Sequence, residues 1–206
     1  MNRFVRTLVV AVALLALIVP ATGSAQNDRQ LRTDLSGFNE VHAPSLSAAG
    51  VFSAGNGSIF STGSGQVELK VDKQHRQIRY ELSYAFPDAA NTPILGTQFV
   101  NQAHLHFGQK HTTGGIPVWL CQSADNVAPP AAADTPVCPS PSGTVTGIIT
   151  PANVLALGGQ GFPAGEDGFD ALLEALQNGN IYANVHTDRF PPGEIRGHLN
   201  DHNHNN

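Results

Sequence analysis

The sequence predicts a mainly β fold, an antiparallel Greek-key β-sandwich or barrel with one short inserted α-helix. Three observations carry that expectation. Residues 67–86 alternate apolar and polar side chains on both sides of a polar turn. Further short apolar runs are separated by connections rich in glycine and proline, 21 and 14 of the 206 residues. One stretch near residue 170 changes to a helical period.

The N-terminus is read first, because it is expected to be removed. Arg3 and Arg6 precede an apolar run at 7–19. That run is shorter than the ~20 residues a bilayer span needs. Pro20 follows it, and Gly23 and Ala25 suit a signal-peptidase site. Residues 1–25 are therefore expected to be a signal peptide cleaved after Ala25, which implies a secreted, periplasmic or extracellular location. No later stretch approaches membrane-spanning length. Losing Arg3 and Arg6 makes the mature chain more acidic by two than the −5 of the whole sequence. With no basic stripe either, nucleic acid is excluded as a partner.

Residues 26–199 are read as one domain, and 200–206, NDHNHNN, as a disordered tail. Within the domain, 26–31 is expected to be a loose leader. Residues 32–41 should be a strand bent at Gly37, and 42–58 a long connection. Val67, Leu69 and Val71, then Ile78, Tyr80, Leu82, Tyr84 and Phe86, mark a hairpin with one face buried. Short strands follow at 103–107, 115–121 and 143–150. Phe169, Leu172, Leu173 and Leu176 form one apolar stripe, with Asp167 as the expected cap and Gly179 as the stop. Two more alternating strands, IYANVHT and EIRGHL, flank the turn DRFPPG. Cys121 and Cys138 make an even count in an exported chain and are expected to form a disulfide closing a Pro/Ala-rich loop.

Three segments share a further pattern. Leu35-Ser36-Gly37-Phe38-Asn39-Glu40-Val41 opens the domain, Ala103-His104-Leu105-His106 with Gly108 lies at its centre, and Asn184-Val185-His186-Thr187 with Phe190-Pro191-Pro192-Gly193-Glu194-Ile195-Arg196-Gly197-His198-Leu199 closes it. In identity and order they resemble the CHRD (chordin) domain, and the chain looks like a stand-alone exported bacterial-type member. The resemblance implies a secreted or cell-surface β-rich module. It names no reaction.

The same residues can be read as chemistry. His104 and His106, two apart on a strand, project from one face with Cβ atoms ~7 Å apart. A third imidazole from a neighbouring strand would complete a metal set, and His186 is the natural candidate, with His198 or Glu194 behind it. Three histidines suit copper or zinc. The H-x-H spacing is distantly similar to copper,zinc superoxide dismutase. The competing reading makes these histidines cross-sheet hydrogen-bonders, with Asn184, Glu194 and Arg196 in a structural polar network. Arg196 also opposes a nearby cation. His42, His75 and His111 are expected to be solvated. No catalytic constellation is recognised: G-x-S-x-G, H-E-x-x-H and a phosphate loop are all lacking. The function expected is a non-enzymatic extracellular or periplasmic binding or structural module. Its partner would be an extracellular protein or surface component, met by loops 42–58 and 122–142. The alternative is a copper- or zinc-binding protein, with redox chemistry as an option.

Overall fold

A computed structural model describes residues 29–42, 57–87 and 99–199. The expected signal peptide, most of the 42–58 connection and the tail after Leu199 lie outside the described residues. Eight strands form one sheet: β1 (Arg29–Ser36), β2 (Ser64–Asp72), β3 (Gln77–Ala85), β4 (Val100–Phe107), β5 (Gly115–Cys121), β6 (Ser142–Ile149), β7 (Ile181–Thr187) and β8 (Ile195–Leu199). Their order is β5-β4-β7-β8-β1-β2-β3-β6. Every pairing is antiparallel. The end strands β5 and β6 approach each other, so the sheet is nearly closed into a barrel. The mainly β, one-helix architecture is thus the expected one.

The alternation in the sequence sets which face is inside. Ile78, Tyr80, Leu82 and Tyr84 are buried, while Arg79 and Glu81 between them are exposed. Their register with β2 puts Leu82 opposite Val67, Tyr80 opposite Leu69 and Ile78 opposite Val71. One strand does not alternate in burial. All seven residues of β7 are buried, because Ile181, Ala183 and Val185 face the core while Tyr182, Asn184 and His186 lie under loops on the outer face. That covered patch of outer face is where the candidate site lies.

The barrel seam is fastened three ways. Cys121 ends β5 and is bonded to Cys138, 17 residues on. The phenol of Tyr80 on β3 donates to Leu120 O at 2.8 Å, and that of Tyr84 to Pro139 O at 2.7 Å. Burial pushes the Tyr80 hydroxyl up to about 12, which keeps it a donor. Opening the disulfide with Cys121→Ala and Cys138→Ala is expected to cost about 3 kcal/mol, the loop-closure value for this length. Urea denaturation of the double variant and the parent measures it.

The helix α1 (Gly165–Gln177) adds Phe169, Leu172, Ala175 and Leu176 to the same core. Asp167 is not its cap. The cap is Ala164, without a side-chain bond, and Asp167 and Glu166 lie inside the first turn, where their charge favours the helix N-terminus. Gly179 stops the helix as expected, in a left-handed conformation at φ 65. The N-terminal expectation needs a similar correction. Residues 29–31 belong to β1 rather than to a leader, since Leu31 pairs with Leu69 and is buried. The strand ends at Ser36, and 37–39 form a 3₁₀ turn.

Candidate functional site

The centre is built from β4 and β7. On β4, Ala103 and Leu105 pack inward, so His104 and His106 point to the outer face. The β4–β5 ladder shifts register at Ala103/His104 and again at Leu105/Phe107. Such bulges re-aim side chains. On β7, Tyr182, Asn184 and His186 stand opposite His106, His104 and Gln102 respectively. His186 is therefore the diagonal neighbour of His104. One nitrogen from each of His104, His106 and His186 lies within 4.8 Å of the other two. His104 Nδ1 and His186 Nε2 are 3.2 Å apart.

Two of the rings are held by backbone. His106 Nδ1 lies 3.0 Å from Gly114 O, and His186 Nδ1 lies 2.8 Å from Pro191 O. A carbonyl only accepts, so both Nδ1 atoms carry the proton and both Nε2 atoms are bare lone pairs. His104 Nδ1–H then donates to His186 Nε2, which leaves His104 Nε2 bare. His104 Nε2 and His106 Nε2 are buried without a hydrogen-bond partner. The residues His104, His106 and His186 are 0%, 8% and 6% exposed. Burial is the largest cause holding all three neutral: His104 well below the ordinary 6.5, His106 down to about 3 and His186 to about 4. Neutral imidazoles with carbonyl-anchored Nδ1 atoms are the form in which histidine ligates metal.

The loops around the centre need particular glycines. A Cβ on Gly114 would sit 1.9 Å from Phe107 O. Gly193, at φ 132, packs so that a Cβ would meet the Asn184 amide and Glu40 Oε2 within 2.7 Å. Trp119 on β5 meets the His104 ring edge-on at 4.3 Å, and Tyr182 stacks parallel on His106 at 4.7 Å.

Asn184 and Glu194, expected with Arg196 in one polar network, lie in two separate buried groups, and Arg196 hydrogen-bonds to neither. Asn184 Nδ2 donates to Glu40, whose carboxylate also accepts from Val41 N. Burial, the largest cause, raises the pKa of Glu40. Glu194 is fully buried and accepts from Ser61 Oγ and Thr187 Oγ1. Neither carboxylate is in the histidine cluster. His198 is not in it either: it lies on β8, across Tyr182, with its ring 5.8 Å from that phenol. Arg196 lies over Tyr182 at 3.4 Å, on the outer face with His198. Of the histidines expected to be solvated, His75 is exposed and pairs with Asp72, and His111 is exposed. His42 is instead half-buried, its Nε2 bonded to Gly193 O at 2.7 Å.

Sequence reasoning missed Glu40, Tyr182, Trp119 and the carbonyls of Gly114 and Pro191. Glu40 did carry a signal, as the acid of the opening motif. The carbonyls carried none, because any residue supplies one.

The three sequence elements that meet here are those of one family, and the CHRD domain model matches residues 31–199. The chain belongs to the CHRD domain family. Its opening element supplies Glu40, its central element His104 and His106, and its closing element Asn184, His186, Glu194 and Arg196. No curated protein and no solved structure matches the chain. Among the described residues no helix is long and apolar enough to cross a membrane.

Proposed function

We propose that this CHRD domain is an exported, non-enzymatic binding module whose histidine centre takes a transition-metal ion, copper or zinc. The carrying observation is the convergence of one nitrogen from each of the buried rings of His104, His106 and His186. Bonds of about 2.0 Å in tetrahedral geometry put ligand nitrogens about 3.3 Å apart. The His104–His186 pair meets that spacing at 3.2 Å. The third ring, whose nitrogen lies within 4.8 Å of the other two, closes the set by a small ring movement, and His104 moves its proton from Nδ1 to Nε2 to free a lone pair. No acid competes for the ion, and all three ligands are already deprotonated, so binding releases no proton at neutral pH. Export is supported by the Cys121–Cys138 bond, since such bonds persist in oxidising compartments.

The test is metal content. His202 and His204 in the tail would bind metal adventitiously, so the full mature chain is used with both replaced by Asn. After exposure to zinc or copper and gel filtration, one ion per chain is expected, and His106→Ala abolishes it. A chain that emerges metal-free, with its melting temperature unchanged by added ion, refutes the reading.

One observation favours a partner protein or surface component as well. Phe38 and Phe60 are 66% and 77% exposed and meet edge-on at 6.2 Å. Val127 and Val137 are exposed on the disulfide loop. Solvent-facing apolar side chains of this size are contact residues when they cluster.

A further inference from the structure

We propose that a small groove on the outer face, formed by Thr33, Asn39, Lys110, His111, Arg196 and His198, binds a tetrahedral oxyanion, phosphate or sulfate. This site is separate from the three-histidine centre and does not depend on it. The groove encloses about 160 Å³, enough for one such ion. Four of its six lining residues are basic or imidazole side chains and none is acidic, in a chain with 16 acids against 11 lysines and arginines.

The local chain makes this concentration. Arg196 and His198 are two apart on β8 and so share the outer face. Thr33 comes from β1 and Asn39 from the turn that follows it. Lys110 and His111 come from the loop between β4 and β5, where His111 holds a left-handed φ of 65. The guanidinium of Arg196 is the floor. It is 2% exposed and is placed by the Tyr182 ring beneath it. Nη1 has no hydrogen-bond partner, and Nη2 has only Gln109 O at 3.5 Å. His198 Nε2 is buried and also unpartnered, the ring's other nitrogen being held by the Gly179 backbone, so Nε2 becomes a donor by taking up a proton when the oxyanion binds.

Two cations elsewhere among the described residues are paired with acids: Arg76 with Glu166 and Asp170, and Lys70 with Glu68. Among the described residues no carboxylate lies within ion-pair distance of Arg196 or Lys110. Glu40 attracts Arg196 from a distance, but it is committed to Val41 and Asn184. The excess positive charge is felt inside the groove: after burial, Arg196, Lys110 and His111 are the causes that depress His198, to about 4. A buried guanidinium left without an anion is costly, and its planar donor set matches the oxygens of phosphate or sulfate.

The test is a titration of the full mature chain with sodium phosphate or sodium sulfate against sodium chloride at matched ionic strength. A chelator is present throughout, and amide resonances are followed. Saturable shifts at Thr33, Asn39, Lys110, His111, Arg196 and His198 are expected with the oxyanions and not with chloride. Lys110→Gln changes an exposed side chain and leaves the fold intact, and it should weaken binding about tenfold. His75→Gln, a distant exposed imidazole, should leave it unchanged. Phenyl phosphate separates the sources: binding as tight as phosphate points to the end group of a larger molecule, and exclusion points to the free ion. Equal shifts with chloride, shifts centred elsewhere, or an unaltered affinity in Lys110→Gln would overturn the proposal.

Discussion

The metal-free protein loses several kcal/mol of stability between pH 6.5 and pH 4. The folded state holds His104, His106 and His186 neutral, with pKa values below 6.5, to about 3 for His106 and about 4 for His186. Unfolding restores the ordinary value. Below 6.5 the unfolded chain therefore binds protons that the folded chain refuses, and acid favours unfolding. Stability is complete above pH 6.5 and falls as pH drops toward 4. Each fully depressed group contributes up to about 1.4 kcal/mol per pH unit. His198 adds a smaller share, since it is less buried. Glu40 acts with the opposite sign. Its raised pKa means the folded state takes up its proton first, which favours folding as pH falls. One carboxylate does not offset three imidazoles. Urea midpoints at pH 7, 5.5 and 4.5 measure the slope, and His106→Gln should flatten it. A pH-independent midpoint across this range contradicts the assignment of the three rings as buried and neutral.

His186→Ala weakens metal binding about 100-fold or more, while His198→Ala changes it by less than about threefold. The difference follows from position. His186 faces His104 at 3.2 Å and is oriented by Pro191 O. His198 is separated from the cluster by the Tyr182 ring, which stacks on both His106 and His198. Competition with a chromophoric chelator reads both affinities. Equal losses in the two variants would place the ion across Tyr182 rather than among the three rings.

Much of this is legible in the sequence. Alternation in 67–86 gave the hairpin, because a half-buried strand must alternate. The i, i+2 spacing of His104 and His106 gave a shared face, and His186 in the closing motif stood out as the natural third imidazole. Three things were hidden. Strand order brings β4 beside β7, and no local pattern encodes order. The full burial of β7, and of Arg196 beside it on β8, comes from loops laid over the outer face. This is why His186 and Arg196, whose alternation reads as solvent-facing, are 6% and 2% exposed. His198 shares the spacing of a ligand, but Tyr182 fills the space between it and the cluster, and only packing shows that.

The most direct measurement is a long-range proton–nitrogen spectrum of the histidine rings in the metal-free chain, repeated after one equivalent of zinc. His106 and His186 should be Nδ1-protonated at the start. On addition, the Nε2 resonances of both and Nδ1 of His104 should move together, with the His198 ring unmoved. Rings that keep their resonances through the addition, or a response confined to His202 and His204, would contradict a metal centre on β4 and β7.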